Sequence, residues 1–149
     1  MTVFADSSAL VKLYVAEQHH EVVQEITEPI VIAAVAWVEV AAAIWRKHRL
    51  GELAAGQAAT LCAEFAADVA GDDLPTPRFA TIAIDGAVLF GAADAVARHP
   101  LRACDAIQLA AALAAAHALG GLGGFVAFDH RLRAAAAAEG LVLIPTSEP

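Results

Sequence analysis

The sequence predicts one α/β domain, a three-layer α/β/α sandwich around a central, mostly parallel sheet of about five strands. Three features predict it. Short apolar runs alternate with alanine-rich segments of helical character along the whole chain. The apolar runs are unbroken, as in strands covered on both faces. The 149 residues suit a single domain, residues 1–149, with one core.

The first strand is Val3–Ala5, followed at once by Asp6, Ser7 and Ser8, residues that favour turns and helix N-caps. A helix then runs to Tyr14. Asp6 therefore stands where a buried strand ends and a helix begins, a position that opens onto the ligand crevice of an open α/β sheet. A plain helix cap is the alternative reading of a lone aspartate there.

Residues 19–27 are polar and read as a short surface helix. His19 and His20 point different ways on a helix, which favours a solvated pair over a metal site. Pro29 punctuates the chain, and Ile30–Ala33 is the second strand. Ala36–Arg49 reads as a helix, stopped by Gly51. Glu39 sits in its first turns among apolar neighbours. An unpaired buried carboxylate is costly, which points to function, while the helix N-terminus attracts acids on its own account. Arg46, Lys47 and Arg49 gather at the other end. The helix dipole explains Lys47 and Arg49. Arg46 shares nearly the same face as Glu39, so a phosphate contact stays open for it.

Residues 53–70 form another alanine-rich helix, with Leu61, Phe65 and Val69 as its core stripe. Residues 71–77 are a loop, and 79–84 a third strand. Asp85 caps the helix Gly86–Arg98. Pro100 separates this helix from one that starts near Cys104 and runs to His117, which reads as a partly buried surface residue. Asp105 is that helix's only acid and lies at the positive end of its dipole. Residues 109–128 carry no formal charge and approach a bilayer span in length. Glycines at 120, 121, 123 and 124 interrupt them, so a buried helix, a turn and a strand explain the stretch better than a membrane segment. Residues 124–129 are the fourth strand, with Asp129 directly at its end. A helix from His130 to Gly140 and a strand over 141–144 complete the chain.

Bulk properties narrow the function. Apolar residues make up 59% of the chain, many of them alanine, which suits a helix-rich fold. Cys62 and Cys104 form neither a disulfide framework nor a zinc spacing, and suit reduced thiols in the cytoplasm. The N-terminus has no signal-peptide pattern. The net charge of −8 counts against a simple nucleic-acid binder, but not against an enzyme that holds phosphates through metal ions.

Asp6 and Asp129 fall at strand ends, Glu39 and Asp105 near helix starts, and in a parallel sheet these share one edge. Convergence of four acids requires protonation, separation or a cation. Oxygen donors without histidine or cysteine select hard ions, chiefly Mg²⁺ or Mn²⁺, which bind phosphate and activate water.

Four segments carry a family resemblance: Asp6-Ser7-Ser8-Ala9-Leu10-Val11-Lys12-Leu13-Tyr14, Trp37-Val38-Glu39-Val40, Leu101-Arg102-Ala103-Cys104-Asp105-Ala106-Ile107-Gln108-Leu109-Ala110 and Phe128-Asp129-His130-Arg131-Leu132. In this order they resemble a PIN-domain ribonuclease of the VapC-like kind, the toxin of a toxin–antitoxin pair. The chain departs from the family in Gln108, where histidine is frequent, and in Ala127, where threonine or serine is. The resemblance implies Mg²⁺- or Mn²⁺-dependent cleavage of RNA. Asp6 and Asp105 would be the most direct metal ligands, with Glu39 and Asp129 completing the site. It also implies a homodimer and a protein antitoxin that enters the active-site groove. Ser7, which would hold Asp6 or a metal-bound water, joins Arg46 and Arg102 as the candidate substrate-binding residues. For Ser7 a plain cap, and for Arg102 a salt bridge within the acidic crevice, are the competing readings. Two other functions compete: a PIN-like fold that binds RNA or protein without catalysis, and a receiver-type signalling domain. The receiver needs a lysine after a late strand, whereas Lys12 and Lys47 are both early.

Overall fold

The computed structural model describes residues 1–71, 75–147 and 149. Of the loop expected over 71–77, residues 72–74 therefore lie outside the described residues. The elements in chain order are β1 (Val3–Ala5), α1 (Ser7–Tyr14), α2 (His20–Gln24), β2 (Ile30–Ala33), α3 (Ala36–Arg49) and α4 (Ala55–Ala70). They continue as β3 (Phe79–Ile82), α5 (Gly86–Arg98), α6 (Ala103–Leu119), β4 (Gly124–Val126), α7 (His130–Ala138) and β5 (Leu143–Ile144).

The sheet has the order β3-β2-β1-β4-β5, and every pairing is parallel. From β1 the chain moves outward through β2 to β3, then returns to the opposite flank of β1 as β4. This reversal makes the gap between β1 and β4 the topological switch point, where open α/β sheets bind ligands.

Strand residues alternate between two cores, as the pleat requires. Val3, Ala5, Ile30 and Ile32 pack with Leu10, Val23, Val40, Ile44 and Phe65, so α1–α4 cover one face. Phe4, Val31, Ala33 and Phe125 pack with Val88, Ala92, Leu109 and Leu132, so α5–α7 cover the other. This is the predicted three-layer sandwich, and it explains why the strand runs are apolar at every position. Phe4 and Phe125 are partners in register and stack with ring centroids 5.6 Å apart.

The uncharged stretch is accounted for by burial. On α6, Ala106, Gln108, Leu109, Ala110, Ala111, Ala112 and Ala115 are all buried. The helix ends at Gly120 with φ 71°, a left-handed cap that a side chain would disfavour. Among the described residues no helix is long and apolar enough to cross a membrane.

Several boundaries differ from the sequence reading. The helix expected over 19–27 is the shorter α2. Its histidines are not a solvated pair: the His19 ring stacks on Phe128 at 5.6 Å, and His20 Nδ1 lies 2.8 Å from the Glu17 carbonyl oxygen. His117 is exposed rather than half-buried. β3 stops at Ile82, β5 spans Leu143–Ile144, and β4 stops at Val126, short of Asp129. The last difference follows from Asp129 capping α7, since the chain must leave the strand direction before the cap.

Phe4 is completely buried at the centre of the sheet. Phe4→Ala is expected to destabilise the protein by about 3–5 kcal/mol. Urea denaturation measures this as a lower midpoint.

Candidate active site

Two acids are set by helix capping at the switch point. Asp6 follows β1 directly, and its Oδ1 accepts hydrogen bonds from the Ala9 amide (2.9 Å) and Ser8 Oγ (2.8 Å). Asp129 caps α7 just beyond β4, with Oδ1 accepting from the Leu132 amide at 3.0 Å. Because β1 and β4 are neighbours, both carboxylates lie on the same crevice. Glu39 reaches it from the first turn of α3, and Asp105 from the first turn of α6. One open cleft of about 990 Å³ is lined by all four acids and by Ser7, Arg46 and Arg102.

Each acid has its own partner. Glu39 Oε2 accepts from Ser7 Oγ at 2.7 Å and from Gln108 Nε2 at 2.6 Å. Arg102 Nε donates to Asp105 Oδ2 at 2.9 Å, and its guanidinium lies 3.7 Å from Asp129 Oδ2. Arg102 is thus paired within the crevice, yet its side chain is 75% exposed. Ser7 spends its hydroxyl on Glu39, besides opening α1.

The Asp6 carboxyl is pushed up to about 7. Burial is the main cause, with smaller contributions from the charges of Glu39 and Asp105, and the bonds from Ala9 and Ser8 oppose it. Cys104 sits beside Glu39, and burial, then Glu39, raise its thiol. It is therefore a protonated thiol, poorly nucleophilic.

The basic residues of the cleft other than Arg102 divide into two sets. Lys12 and Lys47 both hold Glu17, at 2.8 Å and 2.6 Å, and Lys47 also reaches Glu52 at 3.3 Å. The Lys12 ammonium lies over the Phe128 ring, 4.7 Å from its centroid. Arg46 and Arg49 also line the cleft and are exposed, with no ion pair among the described residues.

The donor set has the chemistry of a hard-cation site: four carboxylates, no histidine among them, on one crevice. Gln108 strengthens the fit. Among the described residues its buried Oε1 has no hydrogen-bond partner, a condition that costs roughly 1–3 kcal/mol and leaves a spare polar acceptor behind the cleft. The carboxylates are nonetheless turned to internal partners. Among the described residues no three His, Cys, Asp or Glu side chains are gathered as the ligands of one ion.

Gln108 was read from the sequence only as a departure from the family, not as a site residue. Its spacing from Asp105 places both on one face of α6, and that is the signal that finds it. Its contacts with Ser7 and Glu39 are invisible without the fold.

Comparison with known proteins follows the same lines. The PIN-domain family model matches residues 3–138. This chain belongs to the PIN-domain family. Two solved structures share the PIN fold over 99% of both chains. One is a toxin–antitoxin complex from Klebsiella pneumoniae, at 15% identity and TM-score 0.61. The other is VapC20 of Mycobacterium tuberculosis, a toxin that cleaves the sarcin-ricin loop, at 17% identity and TM-score 0.64. No curated protein matches the chain.

The raised Asp6 carboxyl has a consequence for this PIN domain. Between its ordinary value of 3.8 and about 7 the folded chain holds a proton that the unfolded chain releases. This contribution to stability is present at low pH and is lost as pH rises through that window, by at most roughly 1.4 kcal/mol per pH unit. In EDTA, Asp6→Asn is expected to lack this decline and to be more stable than the wild type above about pH 7. Thermal unfolding of both proteins between pH 4 and 9 measures the difference.

Proposed function

We propose that this PIN domain is a Mg²⁺- or Mn²⁺-dependent endoribonuclease, the toxin of a toxin–antitoxin pair, working in the cytoplasm. The observation that carries this reading is the convergence of Asp6, Glu39, Asp105 and Asp129 on one cleft at the sheet's switch point. Asp6 and Asp105 would be the most direct ligands of the ion, with Glu39 and Asp129 completing its surroundings. When bound, such an ion polarises a phosphate group and makes a water acidic enough to attack phosphorus. The protein's own groups do the rest. Asp6 loses its proton near neutral pH and becomes a full acceptor. Ser7 and Gln108 keep Glu39 in place. Arg46, exposed on the cleft wall, grips the RNA backbone. Arg102 does the same once it turns from Asp105. The solved structures, one a toxin–antitoxin complex and one a toxin, support the reading by likeness of fold.

The antitoxin would present arginine or lysine to the carboxylates and apolar side chains to the cleft rim. Val38, 71% exposed, flanks Glu39, and Leu50 lines the cleft itself. A homodimer finds its best support on α5. Leu89, Phe90 and Val96 are exposed there, Phe90 to 82%.

Purified protein is expected to cleave RNA with Mn²⁺ and to stop in EDTA. Asp105→Asn is expected to lower the rate by at least about 100-fold. Equal cleavage by wild type and variant would overturn the enzyme reading. Phe90→Glu is expected to convert the dimer to a monomer in light scattering. A wild type already monomeric at high concentration would remove the dimer.

A further inference from the structure

We infer that Gln108 is a positioning residue of this site, acting through Glu39 and Ser7; the inference rests on the metal-dependent nuclease reading. The geometry is closed. Gln108 Nε2 donates to Glu39 Oε2 at 2.6 Å and to Ser7 Oγ at 2.7 Å. Ser7 Oγ donates to the same Glu39 oxygen at 2.7 Å. An amide nitrogen carries two protons, and both are used. The Ser7 hydroxyl accepts one of them, so its own proton goes to Glu39. Two of the three hydrogen bonds therefore end on one carboxylate oxygen, Glu39 Oε2, and the third, from Gln108 to Ser7 Oγ, fixes the direction in which the Ser7 hydroxyl donates. Turning the amide over would set Gln108 Oε1 against Glu39 Oε2, two acceptors facing each other.

Three elements meet in this triangle: α1 through Ser7, α3 through Glu39 and α6 through Gln108. Gln108 is 2% exposed, while Glu39 is half-buried. The amide thus acts from inside the core and fixes the direction of a side chain that reaches into the cleft. A glutamate without it would swing among rotamers and share a crowded space with Asp105 and Asp6. The second polar atom of the amide, Oε1, is buried and without a partner among the described residues, so the protein bears a cost there that its own packing does not repay. A core chosen for stability alone favours an apolar side chain at this place.

The test compares Gln108→Met with Gln108→His. Methionine keeps the length and removes every donor; histidine restores one ring N–H. Mn²⁺ binding is read from the thermal shift over a metal titration, and RNA cleavage from kcat and KM separately. Gln108→Met is expected to unfold no earlier than wild type in EDTA. Its half-saturating Mn²⁺ is expected to rise and its kcat to fall, each on the order of 10- to 100-fold, with KM for RNA nearly unchanged. Gln108→His is expected to recover much of both losses. Unchanged Mn²⁺ binding and kcat in Gln108→Met overturn the inference, as do equal losses in both variants, which would mark a packing role. Wild-type protein that binds Mn²⁺, weakens in Gln108→Met, yet cuts no RNA would sink the nuclease reading and leave Gln108 in its place.

Discussion

Four carboxylates drawn to one edge of a parallel sheet repel one another, and the rest of the site is arranged around that repulsion. Two such charges about 4 Å apart oppose each other by about 4 kcal/mol at an effective dielectric of 20. The fold meets this with four different devices. Helix N-termini receive Asp6 and Asp129. A hydroxyl and an amide receive Glu39. A guanidinium receives Asp105. Burial, with the neighbouring charges, lets Asp6 keep a proton up to about pH 7. In the proposed function most of these arrangements are undone: a proton leaves, an arginine turns, and the same oxygens become available to a cation.

The frame that imposes the crowding is built largely of small residues. Ala9, Ala33, Ala36, Ala106, Ala111 and Ala136 are almost fully buried. Such side chains let helices lie close to the sheet and to each other. A Cβ on Gly91 of α5 would already lie 3.4 Å from Ala110 on α6. Close approach of this kind is what allows α6, buried on most sides, to deliver Gln108 to residues of α1 and α3. The chemistry at the crevice and the alanine content of the chain are thus linked through distance.

Charge is distributed unevenly in the same cleft. Lys12 and Lys47 are committed to Glu17, which ties the segment after α1 to α3. Arg46 and Arg49 stay exposed on the cleft wall. A polyanion approaching a chain of net charge −8 meets its attraction locally, at these arginines. A cationic segment of a partner meets the carboxylates instead, so one cleft serves both in the proposed function.

Much of this was legible from residue order. Unbroken apolar runs at Val3–Ala5 and Ile30–Ala33 marked strands covered on both faces, and Asp6 and Asp85 read as caps from their neighbours alone, because capping is local. The family followed from four short segments in order, and the family model matches residues 3–138. Strand ends and the histidine pair were less legible, since the end of β4 and the His19–Phe128 stack depend on where the chain turns in space. Gln108 and Ser7 stand 101 residues apart, and nothing in local propensity links them. Sequence by itself determined the elements, their caps and the kinds of donor available, all of which are set by neighbours a few residues away. Tertiary structure alone decided which acid takes the proton, which is held by arginine and which by an amide, because those outcomes depend on distances between segments that the chain does not encode one stretch at a time.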